Sequence, residues 1–253
     1  MALRIRQTVS ANGDTLYWPA QEQPRGGIMC LHGSEGGFSG WNDLNCALFA
    51  AHGFVALSRN YTQNFRWLIH PDIDSVPLEA SEHALFALKA ELAPYNVGMG
   101  LFGVSRGAEH ALLLAQLLAE DSSPAIPDAV AVHSPPDETW PAFLVSDFTS
   151  GKPWAGDRTR PAWSWRDNHD RTRPGLLLGV KSTPYPVLIT QGTNDEVWGD
   201  EMARRLADRM SEAGRPPEAR FFSGEGHIFQ AEARTQELAL LVDFFDRHLG
   251  HAK

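Results

Sequence analysis

From residue 26 to residue 250 the chain alternates short apolar runs, each cut off by glycine or polar residues, with stretches of helical periodicity. GGIMCLHG (26–33) and GFVALSRN (53–60) read as buried strands, and WNDLNCALFAAHG between them as a helix closed by Gly53. The pattern continues with a helix over 75–92, a strand over 96–103, a helix over 106–120 and a strand over 125–134. It resumes with a strand over 183–192, a helix over 199–214 closed by Gly214, a strand over 217–224 and a closing helix over 233–250. Such alternation predicts an α/β domain with a mostly parallel central sheet and helices on both faces. Residues 1–25 are expected to supply edge strands or an N-terminal extension, and 1–253 to form a single domain.

One region breaks the rhythm. Residues 135–182 are rich in Pro, Trp, Arg and Asp and show no period. Irregular segments of this length are uncommon in compact domains and often functional. The expectation is a lid-like excursion over a pocket, with Trp140, Trp154, Trp163 and Trp165 as candidate wall residues. Trp154 and Trp163 are the first choices for an apolar acyl site.

Composition narrows the function classes. The net charge is −9, spread along the chain, and no Lys/Arg run is present to neutralise successive phosphates. Nucleic acid and anionic membrane surfaces are therefore not expected partners. No apolar stretch approaches the roughly 18–20 residues of a membrane span, and the N-terminus lacks an apolar core of signal-peptide length. The two cysteines, Cys30 and Cys46, have no metal-ligand spacing and read as small buried hydrophobes. A cytoplasmic location follows as the expectation. Nothing in the sequence specifies an oligomeric state.

The chemistry converges on MGLFGVSRGAEHALLLAQ (99–116). A strand-like run enters G-V-S-R-G and a helix leaves it, the setting in which Ser105 stands on a sharp strand-to-helix turn as a nucleophile. A serine hydroxyl needs a base to take its proton, and the base needs an acid to orient it. In this architecture the chain order is Ser, then Asp or Glu, then His. Of ten histidines, His227 lies in a Gly-rich loop directly after a strand and is the candidate base. His133 ends a strand and reads as structural or pocket wall. His169 lies in the excursion, and His248 and His251 lie near the chain end. PVLITQGTNDEVWGD offers Asp195 as the acid, with Glu196 as rival and Asp200 as a helix N-cap. The oxyanion donors are expected to be the backbone N–H groups of Arg106 and of Ser34 in LHGSEGGFSG, with Glu35 as rival to Ser34. Neither a metal-ligand cluster nor a dinucleotide fingerprint is present, so no cofactor and no metal are expected.

These pieces, each at the C-terminal end of a strand, predict an α/β-hydrolase fold and a serine hydrolase. Through LHGSEGG, VPLEASEHALFAL, GLFGVSRGAEHALLLA, the tract around SGKPW, PVLITQGTNDEVWGDEMARRL and GEGHIF, the chain resembles one branch of that superfamily over about residues 24–249. That branch is the C-terminal catalytic domain of acyl-CoA thioester hydrolases and bile-acid-CoA:amino acid N-acyltransferases, close to dienelactone hydrolases. The resemblance implies Ser105 as nucleophile, Asp195 as acid and His227 as base, acting on a small-molecule ester or thioester. Acyltransferase members often carry a cysteine nucleophile, so the serine here favours hydrolysis. Family thioesterases commonly carry a β-sandwich domain before the catalytic one. The roughly two dozen residues here are too few for it, which favours a generic ester or thioester over acyl-CoA. A lactone or amide hydrolase, and a non-catalytic binding protein of the same fold, are the competing expectations.

Overall fold

The computed structural model describes residues 4–62, 72–150, 156–181 and 183–250. Along these residues the order is β1 (Arg6–Val9), β2 (Thr15–Trp18), β3 (Gly27–Leu31), α1 (Trp41–Ala51), β4 (Val55–Arg59) and β5 (Val76–Pro77). Then come α2 (Glu79–Leu92), β6 (Met99–Val104), α3 (Arg106–Glu120), β7 (Ala129–His133), α4 (Val145–Thr149) and β8 (Trp163–Ser164). The chain closes with β9 (Val187–Gly192), α5 (Asp200–Glu212), β10 (Glu218–Phe222) and α6 (Ala231–Leu249).

Among the described residues, eight strands form the main sheet in the order β1-β2-β4-β3-β6-β7-β9-β10. Strand β2 runs antiparallel to β1 and β4, and every other neighbouring pair is parallel. The segment before Gly26 thus supplies the edge strand β1 and its neighbour β2. Strand β3 is buried at all five positions because helices cover both of its faces. Its side chains alternate between two cores, as the two-residue period of a strand requires. Met29 and Leu31 pack with the leucines of α2 and α3. Ile28 and Cys30 pack with Phe49 of α1 and Phe244 and Phe245 of α6. Gly53 takes φ +98°, the left-handed turn that ends α1, and the amide of Phe54 bonds back to the carbonyl of Phe49.

Because the central strands are parallel, their C-terminal ends share one edge. The register pairs Leu31 with Gly103, Val104 with His133, His133 with Thr190, and Phe222 with Gly192. Loops leaving β3, β6, β9 and β10 therefore meet over a short distance.

Two local expectations are corrected. Helix α2 starts at Glu79, not at residue 75, because Pro77 biases Val76 to an extended backbone. Val76 and Pro77 instead pair with Trp163 and Ser164 of the excursion. The excursion also does not carry its described tryptophans on the pocket. Trp163 and Trp165 are buried in the main core against α3. The indole N–H of Trp163 donates to Glu109 at 2.6 Å, and Glu109 pairs with Arg106 at 2.8 Å. Truncating such a side chain to alanine costs about 3–5 kcal/mol. Trp140 packs on Trp198, with ring centroids 4.6 Å apart. Trp154, and with it the SGKPW tract, lies outside the described residues. No helix among the described residues is long and apolar enough to cross a membrane.

Candidate active site

Ser105 joins β6 to α3 with φ +55° and ψ −118°, a backbone conformation costly for any residue with a Cβ. Packing around the turn holds it there. A Cβ on Gly103 would stand 2.1 Å from the carbonyl oxygen of Gly107, and one on Gly107 would stand 2.4 Å from that of His32. Only glycine fits at either position, so the turn closes tightly enough to project the serine. The amide of Ser105 donates to the carbonyl of His133 at 2.9 Å, tying the elbow to β7.

Asp195 follows β9 after the turn Thr193-Asn194 and is buried. Its Oδ1 accepts the amides of Val197 at 2.8 Å and Trp198 at 2.9 Å. Its Oδ2 accepts from Gln191 at 3.0 Å and meets Nδ1 of His227 at 2.8 Å. Burial works to raise the pKa of Asp195, but the contacts with His227 and the two amides outweigh it and hold the carboxyl below its usual range. His227 sits in the loop between β10 and α6. That loop is laced to the end of β9: the amide of Asn194 donates to the carbonyl of Glu225 at 2.8 Å. A Cβ on Gly192 would clash with that same carbonyl at 2.4 Å.

Ser105 and His227 border one cavity of about 440 Å³. Its apolar wall comes from Trp41, Val104, Phe143, Ile228 and Phe229. Phe143 is the excursion's contribution. His32, Ser34 and Glu35 line the side nearest β3. The carboxylate of Glu35 accepts the amide of Gly33 at 3.0 Å. His32 is buried, which pushes its pKa down to about 4 and keeps the ring neutral. Arg106 is the first residue of α3, so its amide is among the first-turn N–H groups without an intrahelical acceptor.

Residues 146–252 match the model of the prolyl oligopeptidase family. Acyl-coenzyme A thioesterase 6 of Mus musculus is 26% identical over 223 residues, which are 85% of this chain and 51% of that protein. The chain thus spans about half the length of the curated relatives it matches. The esterase domain of a Rhodothermus marinus protein superposes with a TM-score of 0.59 at 17% identity, over 98% of this chain and 99% of that one. A dienelactone-hydrolase-like promiscuous phosphotriesterase from metagenomic libraries superposes with a TM-score of 0.64 at 15% identity, over 99% and 100% of the two chains. The chain has the α/β-hydrolase fold.

On this fold the rival residues stand elsewhere. Glu196 is exposed to solvent. Asp200 is the first residue of α5 rather than its N-cap, which is Gly199, and its carboxylate accepts from Arg204 at 2.9 Å. His169 is exposed, and His248 packs on Phe244 at the outer end of α6. His251 lies outside the described residues. Cys30 and Cys46 are free and buried.

The sequence pattern missed two groups that contact the candidate residues. The indole N–H of Trp198 donates to Oγ of Ser105 at 3.1 Å, while its own amide donates to Asp195. Gln191 donates to Asp195 from within β9. A buried tryptophan N–H usually finds an acceptor, so Trp198, three residues after Asp195, was the available signal. Among the described residues no hydrogen bond joins Ser105 to His227. Such bonds are often long before substrate binds.

Proposed function

We propose that this chain is a serine hydrolase of the α/β-hydrolase superfamily that cleaves a carboxylic ester or thioester through an acyl-enzyme on Ser105. The observation that carries the reading is a shared cavity: a serine on a strained elbow and a histidine oriented by a buried carboxylate border the same apolar space. His227 takes the proton of Ser105 as the hydroxyl attacks the carbonyl carbon. Asp195 holds Nδ1 of His227 protonated and stabilises the cation that forms. The backbone N–H groups of Arg106 and Ser34 receive the oxyanion of the tetrahedral intermediate. His227 returns the proton to the leaving alcohol or thiol, then activates water to release the acid. The indole of Trp198 occupies one lone pair of Oγ and leaves the hydroxyl hydrogen for His227. The sequence calls for no metal or cofactor in this scheme.

The test is a rate panel of p-nitrophenyl esters of rising chain length beside matched acyl-CoA thioesters, with Ser105→Ala as control. Turnover lost with the substitution supports the reading, and the preferred column separates esterase from thioesterase. Ligand binding without turnover or covalent labelling would instead favour a binding protein. The match to the prolyl oligopeptidase family over the segment carrying Asp195 and His227 favours amide hydrolysis as a second reading. Matched anilides in the same panel test it.

A further inference from the structure

A second acid–histidine pair, His133 and Glu237, borders the same cavity as Ser105 and His227. His133 ends β7 and is buried, and its Nδ1 meets Oε1 of Glu237 at 2.6 Å. Glu237 projects from α6 with no exposed surface. Its Oε1 also accepts the hydroxyl of Thr190 on β9 at 2.6 Å, and its Oε2 pairs with Arg234. The other ring nitrogen of His133, Nε2, meets the main-chain carbonyl of His227 at 3.0 Å. A carboxylate and a carbonyl oxygen are both acceptors, so both ring nitrogens must donate, and only the imidazolium does so. The same residue holds the nucleophile by its own main chain, since its carbonyl accepts the amide of Ser105. His133 therefore stands on both halves of the candidate site at once.

We propose that His133, held as an imidazolium between Glu237 and the main-chain carbonyl of His227, is a positioning residue that keeps the His227 loop in register with Ser105. The inference rests on the serine-hydrolase reading for its kinetic consequence but not for the charge state.

The groups facing His133 fix the direction of its pH response. From α6 come Glu237, which favours the cation, and Arg234, which opposes it and is itself bonded to Asn45 of α1. From the loop after β10 come the carbonyl of His227 and the ring of Phe229, edge-on at 4.6 Å. Thr190 adds a hydroxyl from β9. Burial works against the charge, and the contacts with Glu237 and His227 outweigh it, leaving the pKa of His133 raised. The proton facing a carboxylate is held more firmly than the one facing a carbonyl. Above that pKa the proton leaves Nε2, two lone pairs then face each other across 3.0 Å, and the tether to His227 is lost.

Two measurements test this. Nitrogen-15 NMR of the histidine-labelled protein reads the ring directly. His133 should carry protons on both nitrogens at pH 7, where an unperturbed histidine (pKa about 6.5) is mostly neutral. Kinetics on the best ester of the panel reads the consequence. His133→Gln should lower kcat by about ten- to a hundredfold, leave KM within about twofold, and abolish the alkaline fall in kcat. Glu237→Gln should move that fall to lower pH. A singly protonated His133 at pH 7, or a His133→Gln enzyme with wild-type kcat and an unchanged alkaline limb, would overturn the proposal. Should Ser105→Ala leave turnover intact, the hydrolase reading fails, and the NMR result still decides the charge state on the wild-type protein.

Discussion

Two acid–histidine pairs lie within one site, Asp195–His227 and Glu237–His133, with contacts of 2.8 Å and 2.6 Å. What separates them is the second ring nitrogen. In His133 it is committed to a carbonyl, while Nε2 of His227 meets no hydrogen-bond partner among the described residues. One ring is filled with protons and cannot accept another; the other keeps an open position at the cavity wall. The supporting elements differ in kind as well. Asp195 and His227 sit on loops after strands, where function is placed on a rigid scaffold. Glu237 sits in the middle of α6, and His133 is the last residue of β7. A short contact between a carboxylate and an imidazole therefore does not by itself mark a base. The remaining valence of the ring decides.

The contrast is broken most sharply by exchanging effects between the pairs. Asp195→Asn should lower kcat by about 10⁴-fold through the wrong tautomer of His227, with a smaller loss of stability, in steady-state assays beside urea unfolding. Glu237→Ala should act the other way round. It removes the carboxylate that accepts from His133, Thr190 and Arg234, and unfolding stability should fall by about 3–5 kcal/mol.

A pH titration of stability sharpens the same comparison. Attraction to His133 and Arg234 overcomes burial and holds Glu237 at about 2, below its unfolded value of 4.5. A depressed carboxylate contributes stability that is present above pH 4.5 and is lost as pH falls toward 2. His133 has the opposite sign. Its raised pKa contributes stability that is full below 6.5 and is lost as pH rises through the folded value. Wild-type protein should therefore lose stability at both ends, and Glu237→Gln should flatten both flanks in urea midpoints measured across pH. The smallest effect is expected at Trp198. Replacing it with Phe removes one neutral donor to Ser105, worth about 0.5–1.5 kcal/mol, and should slow acylation by no more than about tenfold in stopped-flow bursts.

The parallel sheet was legible because β3, β4, β6, β7 and β9 are short apolar runs ended by polar or glycine residues. Candidate residues at those ends were legible for the same reason, since a parallel sheet gathers its C-terminal ends. Contacts across long separations were not. Glu237 reads as one more charge on an amphipathic helix until α6 lays it against β7, 104 residues from His133. Trp163 and Trp165 read as pocket aromatics because the excursion has no period to show which face is inward. Their burial is set by the leucines of α3, by Glu109 for Trp163 and by Asp121 for Trp165, which no local pattern announces. The start of α2 is a local effect of Pro77, which biases Val76 to an extended backbone.

The central claim is that Ser105 is a nucleophile driven by His227. An active-site-directed fluorophosphonate, followed by intact-mass and peptide analysis of the wild type, Ser105→Ala and His227→Gln, tests it most directly. One adduct on Ser105 is expected in the wild type, none in Ser105→Ala, and labelling slowed by about a thousandfold or more in His227→Gln. An adduct on another residue, or Ser105 labelled as fast without His227 as with it, would contradict the account.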